Sequence, residues 1–186
     1  LAEFRASVDE GATIGEYLSD VSFHRATYSI QRAFAEADKG AMYESLVIVR
    51  MALEQICWGV AVRGSADPDE IKATSATKSI SPIAKRYARV GRLNGWLSDH
   101  AHWEYDAHIK AAFAGDGAVL FASSGFKACA YAALIVFCDV YEKIAASELG
   151  SVIDWPTVAQ ILARSDEAIA YSSEDELNAI KVLIGA

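Results

Sequence analysis

SLVIVRMALEQICWGVAV, residues 45–62, is apolar on nearly every side of a helical wheel. A surface helix carries one apolar stripe, whereas a helix that is apolar all round is enclosed by other elements. The stretch therefore predicts a central, buried helix from about Ala41 to Val62, ended by Arg63-Gly64. Its length also suits a bilayer span. However, Arg50 and Glu54 lie inside it, each costing about 2.5–3.5 kcal/mol at a bilayer centre, and Gln55 adds to that. The core helix of a soluble bundle, with no membrane partner, is the expectation.

A second apolar run, Phe126–Tyr141, lies inside a helix expected from about Ser123 to Ser147. Lys127 and Asp139 leave it too short an unbroken stretch to span. Before the central helix, Asp20 is expected to cap a helix that ends at Asp38, with Lys39-Gly40 as its stop. Between the two apolar helices, Asp67-Pro68 and Ser81-Pro82 each read as a cap followed by proline at the first helical position. The second of these starts a helix to about Val90, and another covers Gly91 to about His100. Trp155-Pro156 opens a short helix to Ala163, and Ser173 or Glu174 starts a last one to Leu183. The fold class that follows is all-α. It is a single helical bundle over residues 1–150, with a C-terminal helical appendage over 151–186 packed on the same domain.

The 186-residue chain has a net charge of −8, so a general nucleic-acid coat is not expected, although a local basic patch remains open. Cys57, Cys129 and Cys138 are unclustered and sit in apolar runs. They read as small core residues in a reducing compartment, and a cytoplasmic protein without cofactor is expected.

Three features carry chemistry. From Ile71 to Ser98 there is no Asp or Glu, while Lys72, Lys78, Lys85, Arg86, Arg89 and Arg92 fall in that window. Such a window either attracts phosphates or is a solvated face paired with the acidic C-terminal tail. Arg50 and Glu54, four apart, share one face of the most apolar helix. A buried pair gains little net stability. Either this pair faces a pocket, where Arg50 holds an anion or Glu54 orients a histidine, or it is structural. The third feature is SDHAHWEYDAHI, residues 98–109, with three of the four histidines. As a strand it would place His100, His102, Glu104, Asp106 and His108 on one face, a set suited to zinc or iron. Nothing else in the chain reads as a partner strand, so no metal is expected. The segment reads instead as a helix end followed by a turn, with Ser98 or Asp99 orienting the turn and Trp103 and Tyr105 anchored in the core.

VRMALEQICWGV with its R-x-x-x-E, followed by KSISPIAKRYARVGRLNGWLSDHAHW with L-S-x-x-x-H-W at its end, resembles a group of bacterial helical proteins related to the HEPN superfamily. The resemblance covers roughly Tyr43 to Tyr141 and implies a bundle of four to five core helices. In L-S-D-H-A-H-W the matching histidine is His102. Many members of that superfamily are metal-independent ribonucleases acting in toxins or phage defence, and their protomers pair so that two motifs line one cleft. The resemblance thus implies a homodimer, an RNA or nucleotide ligand, and an antitoxin or defence protein as partner. With it, His102, His100, Arg50, Glu54 and Arg92 become the candidate catalytic residues, and the basic window supplies Lys78, Lys85, Arg86, Arg89 and Arg92 as candidate phosphate contacts. A histidine titrating near neutral pH would move the proton of the ribose hydroxyl, and a guanidinium would hold the charge on the phosphate.

The superfamily places four to six residues between Arg and His, with a polar residue after the Arg. Here seven residues separate Arg92 from His100, nine separate it from His102, and Leu93 follows Arg92. Arg92 and His100 would meet at one phosphate only across a dimer or through a bend at Gly91 and Gly95. Alternatively, Arg50 supplies the cation. The other reading is a non-catalytic helical module that binds a nucleotide or a protein partner.

Overall fold

The computed structural model describes residues 11–101, 124–150, 172 and 174–185. Among these residues the chain is all-α, with seven helices and no strand: α1 Ile14–Asp38, α2 Met42–Val62, α3 Pro68–Ala73, α4 Ala76–Arg86, α5 Ala88–Ala101, α6 Ser124–Glu148 and α7 Glu174–Ile184. The expected helix at Trp155–Ala163 lies outside the described residues.

The central helix is where its composition put it. α2 packs against α1, α4, α5 and α6, and Leu46, Val49, Ala52, Leu53, Ile56 and Cys57 are fully buried. By length and composition alone α2 would pass as a membrane span, and half of it is buried inside the bundle. α6 is the other core helix, burying Tyr131, Leu134, Phe137, Tyr141 and Ile144. Its N-terminal part is tied to the end of α1, because Lys127 Nζ donates to the Asp38 carbonyl (2.7 Å) and the Tyr131 hydroxyl donates to Asp38 Oδ1 (3.1 Å). A cation is favoured at that helix end, where unpaired carbonyls collect.

Three boundaries differ from the expectation. α1 starts at Ile14, not after Asp20, because Thr13 and Glu16 close a capping box: Glu16 N–H donates to Thr13 Oγ1 (3.2 Å) and Thr13 N–H to Glu16 Oε2 (2.7 Å). The T-x-x-E spacing at 13–16 was a legible signal for it. Asp20 instead lies nearly two turns inside α1 and pairs with Arg63 at 2.7 Å. Pro82 does not start a helix but sits inside α4, which begins at Ala76 with Ser75 as its cap. Proline there removes one intrahelical bond, a cost tolerated on an exposed side of a short helix. The break that follows falls at Tyr87, whose backbone is extended (φ −125°, ψ 93°), and α5 begins at Ala88 instead of Gly91.

Candidate functional site

The expected site residues lie on two helices that pack together, α2 and α5. On α2, Arg50 Nε donates to Glu54 Oε1 at 3.4 Å, with 22% and 25% of the two side chains exposed. The pair is thus held at the edge of the bundle, mostly out of water.

α5 runs without interruption from Ala88 to Ala101, through both Gly91 and Gly95. Arg92 and His100 therefore stand about 12 Å apart along the axis, at 1.5 Å per residue. They are not brought to one point within a protomer. Between them lies Trp96, which sequence reasoning passed over although its i, i+4 spacing to His100 was visible. The His100 ring stacks on the Trp96 indole (centroids 3.9 Å apart, planes 19°). His100 Nδ1 lies 2.8 Å from the Trp96 carbonyl. A carbonyl only accepts, so Nδ1 carries a proton and is engaged within the helix, and any acid–base work of this ring falls to Nε2. Trp96 Nε1–H donates in turn to the Ala179 carbonyl of α7 (3.0 Å).

Ser98 does not orient a turn. It lies inside α5, where its hydroxyl donates back to the Asn94 carbonyl (2.8 Å), the usual outlet for a serine within a helix. Asp99 is exposed on the same helix. His102, Glu104, Asp106 and His108 lie outside the described residues, and so do Trp103 and Tyr105. Among the described residues, no three of His, Cys, Asp and Glu come together as a metal set.

The basic window divides in two. Arg86 bonds Glu148 and Ser147 of α6, and Arg89 bonds Asp139 of α6 at 2.6 Å, where Lys143 joins at 2.9 Å. These two arginines thus cross-link α4–α5 to α6, and their acidic partners are on α6 rather than in the C-terminal tail. Lys78, Lys85 and Arg92 are exposed and make no ion pair among the described residues.

Asp139 sets a pH dependence. Burial would raise its pKa, but the bonds from Lys143 and Arg89 outweigh that and hold it below the usual carboxylate range. A depressed folded value stabilises above the unfolded value of about 3.9 and is lost as pH falls through the lower folded value. An Arg89→Ala variant should therefore be less stable than the parent at pH 7. That difference should shrink as pH falls below the unfolded value and through the lower folded value of Asp139, as read by urea unfolding at a series of pH values. A difference independent of pH would mean that Arg89 acts through packing alone.

Burial pushes the thiols of Cys57, Cys129 and Cys138 up to about 12, so none is a nucleophile in place. On the side of α2 that carries Arg50 and Glu54, a shallow groove of about 520 Å³ is lined by Arg32, Glu36, Tyr43, Glu44, Val47 and Ile48. Beside it three large apolar side chains face solvent: Tyr28 on α1 (61% exposed), and Val47 (46%) and Met51 (54%), one turn apart on α2. The antiparallel register of α1 and α2, set where Gly59 meets Ser22 and Ser19, brings residue 28 level with about residue 51.

No family model, curated protein or solved structure matches the chain. The class it defines is an all-α helical bundle with a C-terminal helix.

Proposed function

We propose that this chain is a non-catalytic HEPN-like helical module that binds a protein partner, in the first instance a second copy of itself, through the α1–α2 face. The observation that carries the reading is the unbroken α5, which keeps Arg92 and His100 about 12 Å apart. A ribonuclease of the implied type needs both groups on one phosphate. The exposed Tyr28, Val47 and Met51 supply the binding surface, since large apolar side chains grouped on one face mark contact sites. The face carries both charge signs, with Arg32 2.7 Å from Glu36 and Glu44 beside them, which is compatible with a self-complementary two-fold interface.

Sedimentation of the purified chain should show a dimer that dissociates on dilution, and Met51→Glu should raise the dissociation constant at least about 10-fold. A monomer at all concentrations removes the self-association. The second reading, a ribonuclease completed across that dimer, draws on the partly exposed Arg50–Glu54 pair in the central helix. The same preparation should leave single-stranded RNA intact in EDTA. Cleavage that disappears on His100→Ala or His102→Ala would reverse the order of the two readings.

A further inference from the structure

α7, EDELNAIKVLI, is an amphipathic helix laid across α5 and α6. Its hold on the bundle comes down to a few groups. Leu183 is the single α7 side chain that is fully buried, Ile180 packs partly against the core, and Val182 and Ile184 face solvent. The Ala179 carbonyl accepts from Trp96 Nε1 (3.0 Å), and the Glu176 carbonyl lies 3.9 Å from Cys129 Sγ, a weak bond. At the far end Gly185 closes the helix in the left-handed conformation (φ +80°), its N–H donating to the Lys181 carbonyl at 2.9 Å. A Cβ at Gly185 would stand 2.8 Å from Arg92 Nη1, so the guanidinium lies against the last turn of α7, where the helix dipole favours a cation.

These contacts fall on one stripe. Arg92, Trp96 and His100 follow one another at i, i+4 and i+8 on α5. α7 lies over the first two, and the third stacks on the second. A helix of 11 residues is marginal in water by itself, so lifting it from the bundle and unwinding it are one event, opposed among the described residues chiefly by the groups named. We infer that α7 is a displaceable strap over Trp96, in the middle of the Arg92–Trp96–His100 stripe, and that the Trp96 indole is uncovered when α7 lifts. The inference stands on the α7 contacts alone and does not depend on the α1–α2 face or on self-association.

Cys129 reports the event, because it is buried beside Glu176 of α7, whereas Cys57 and Cys138 are buried elsewhere in the bundle. Thiol labelling of the native protein, followed peptide by peptide, should modify Cys129 at least about 10-fold faster than Cys57 and Cys138. Leu183→Ala should accelerate Cys129 a further 30-fold or so and leave the other two unchanged. Hydroxyl-radical footprinting should show Trp96 gaining label in the same variant. Trp96→Phe removes one hydrogen bond without emptying the core, and should accelerate Cys129 about fivefold if Leu183→Ala proves too unstable to purify. Equal labelling of the three cysteines in the parent, or acceleration of all three together in the variants, would show that α7 opens only with the whole fold and would overturn the strap.

Discussion

Gly15→Ala is expected to destabilise the protein by about 2–4 kcal/mol and to lower its melting temperature by about 10 °C. Gly15 is the second residue of α1 and meets the chain leaving α2. Its N–H donates to the Ser65 carbonyl at 3.0 Å. A Cβ there would stand 2.1 Å from the Val62 carbonyl oxygen and 2.5 Å from that of Ser65. Both obstacles are backbone, which does not rotate aside as a side chain would. The start of α1 must therefore shift, taking with it the hydrogen bond to Ser65 and the capping box at Thr13. Gly64→Ala is the control, because a Cβ at Gly64 meets nothing within 4 Å. If Gly15→Ala melts within a degree of Gly64→Ala in calorimetry, the α1–α2 corner is looser than drawn.

Tyr141→Ala should cost about 4 kcal/mol, from lost burial plus the cavity left behind. Tyr141 is fully buried on α6, with its ring edge against Phe23 of α1 (5.3 Å, 65°) and its hydroxyl donating to the Phe23 carbonyl at 3.0 Å. Tyr141→Phe keeps the ring and removes only the donor, so it should cost about 1 kcal/mol. The two variants together separate packing from the hydrogen bond in urea unfolding. A Phe variant as damaged as the Ala variant would mean that the hydroxyl, not the ring, holds α1 to α6.

Much of the bundle was readable in advance because burial is written into composition. Residues 45–62 have no polar face to turn toward water, so the helix had to lie at the centre of the bundle, although Val47 and Met51 stay exposed, and the same reasoning found α6. Boundaries were less legible. Asp20 and Ser81-Pro82 carry real cap chemistry, but Thr13 with Glu16 and Ser75 offer the same chemistry earlier in the chain. Local signals of similar strength compete, and the tertiary contacts choose between them. The Pro82 break was misplaced for that reason: its ring points to solvent, where the lost bond is cheap.

The candidate site was legible as a set of residue types and not as an arrangement. Arg50 and Glu54 had to share a face, since a spacing of four on a helix leaves no alternative. Whether Arg92 would approach His100 depended on whether Gly91 and Gly95 bend α5, and glycine permits a bend without requiring one. The partners of Arg86 and Arg89 were not readable either. The acidic tail and the acids of α6 are equally plausible by charge, and only the packing of α5 on α6 puts Asp139 and Glu148 within reach. Periodicity and composition thus decide what is helical and what is buried, because those follow from nearest neighbours along the chain. Which helix covers Trp96, and which cations are already spent on ion pairs, follows from contacts between residues some 50 to 90 positions apart, for which the chain carries no local signal.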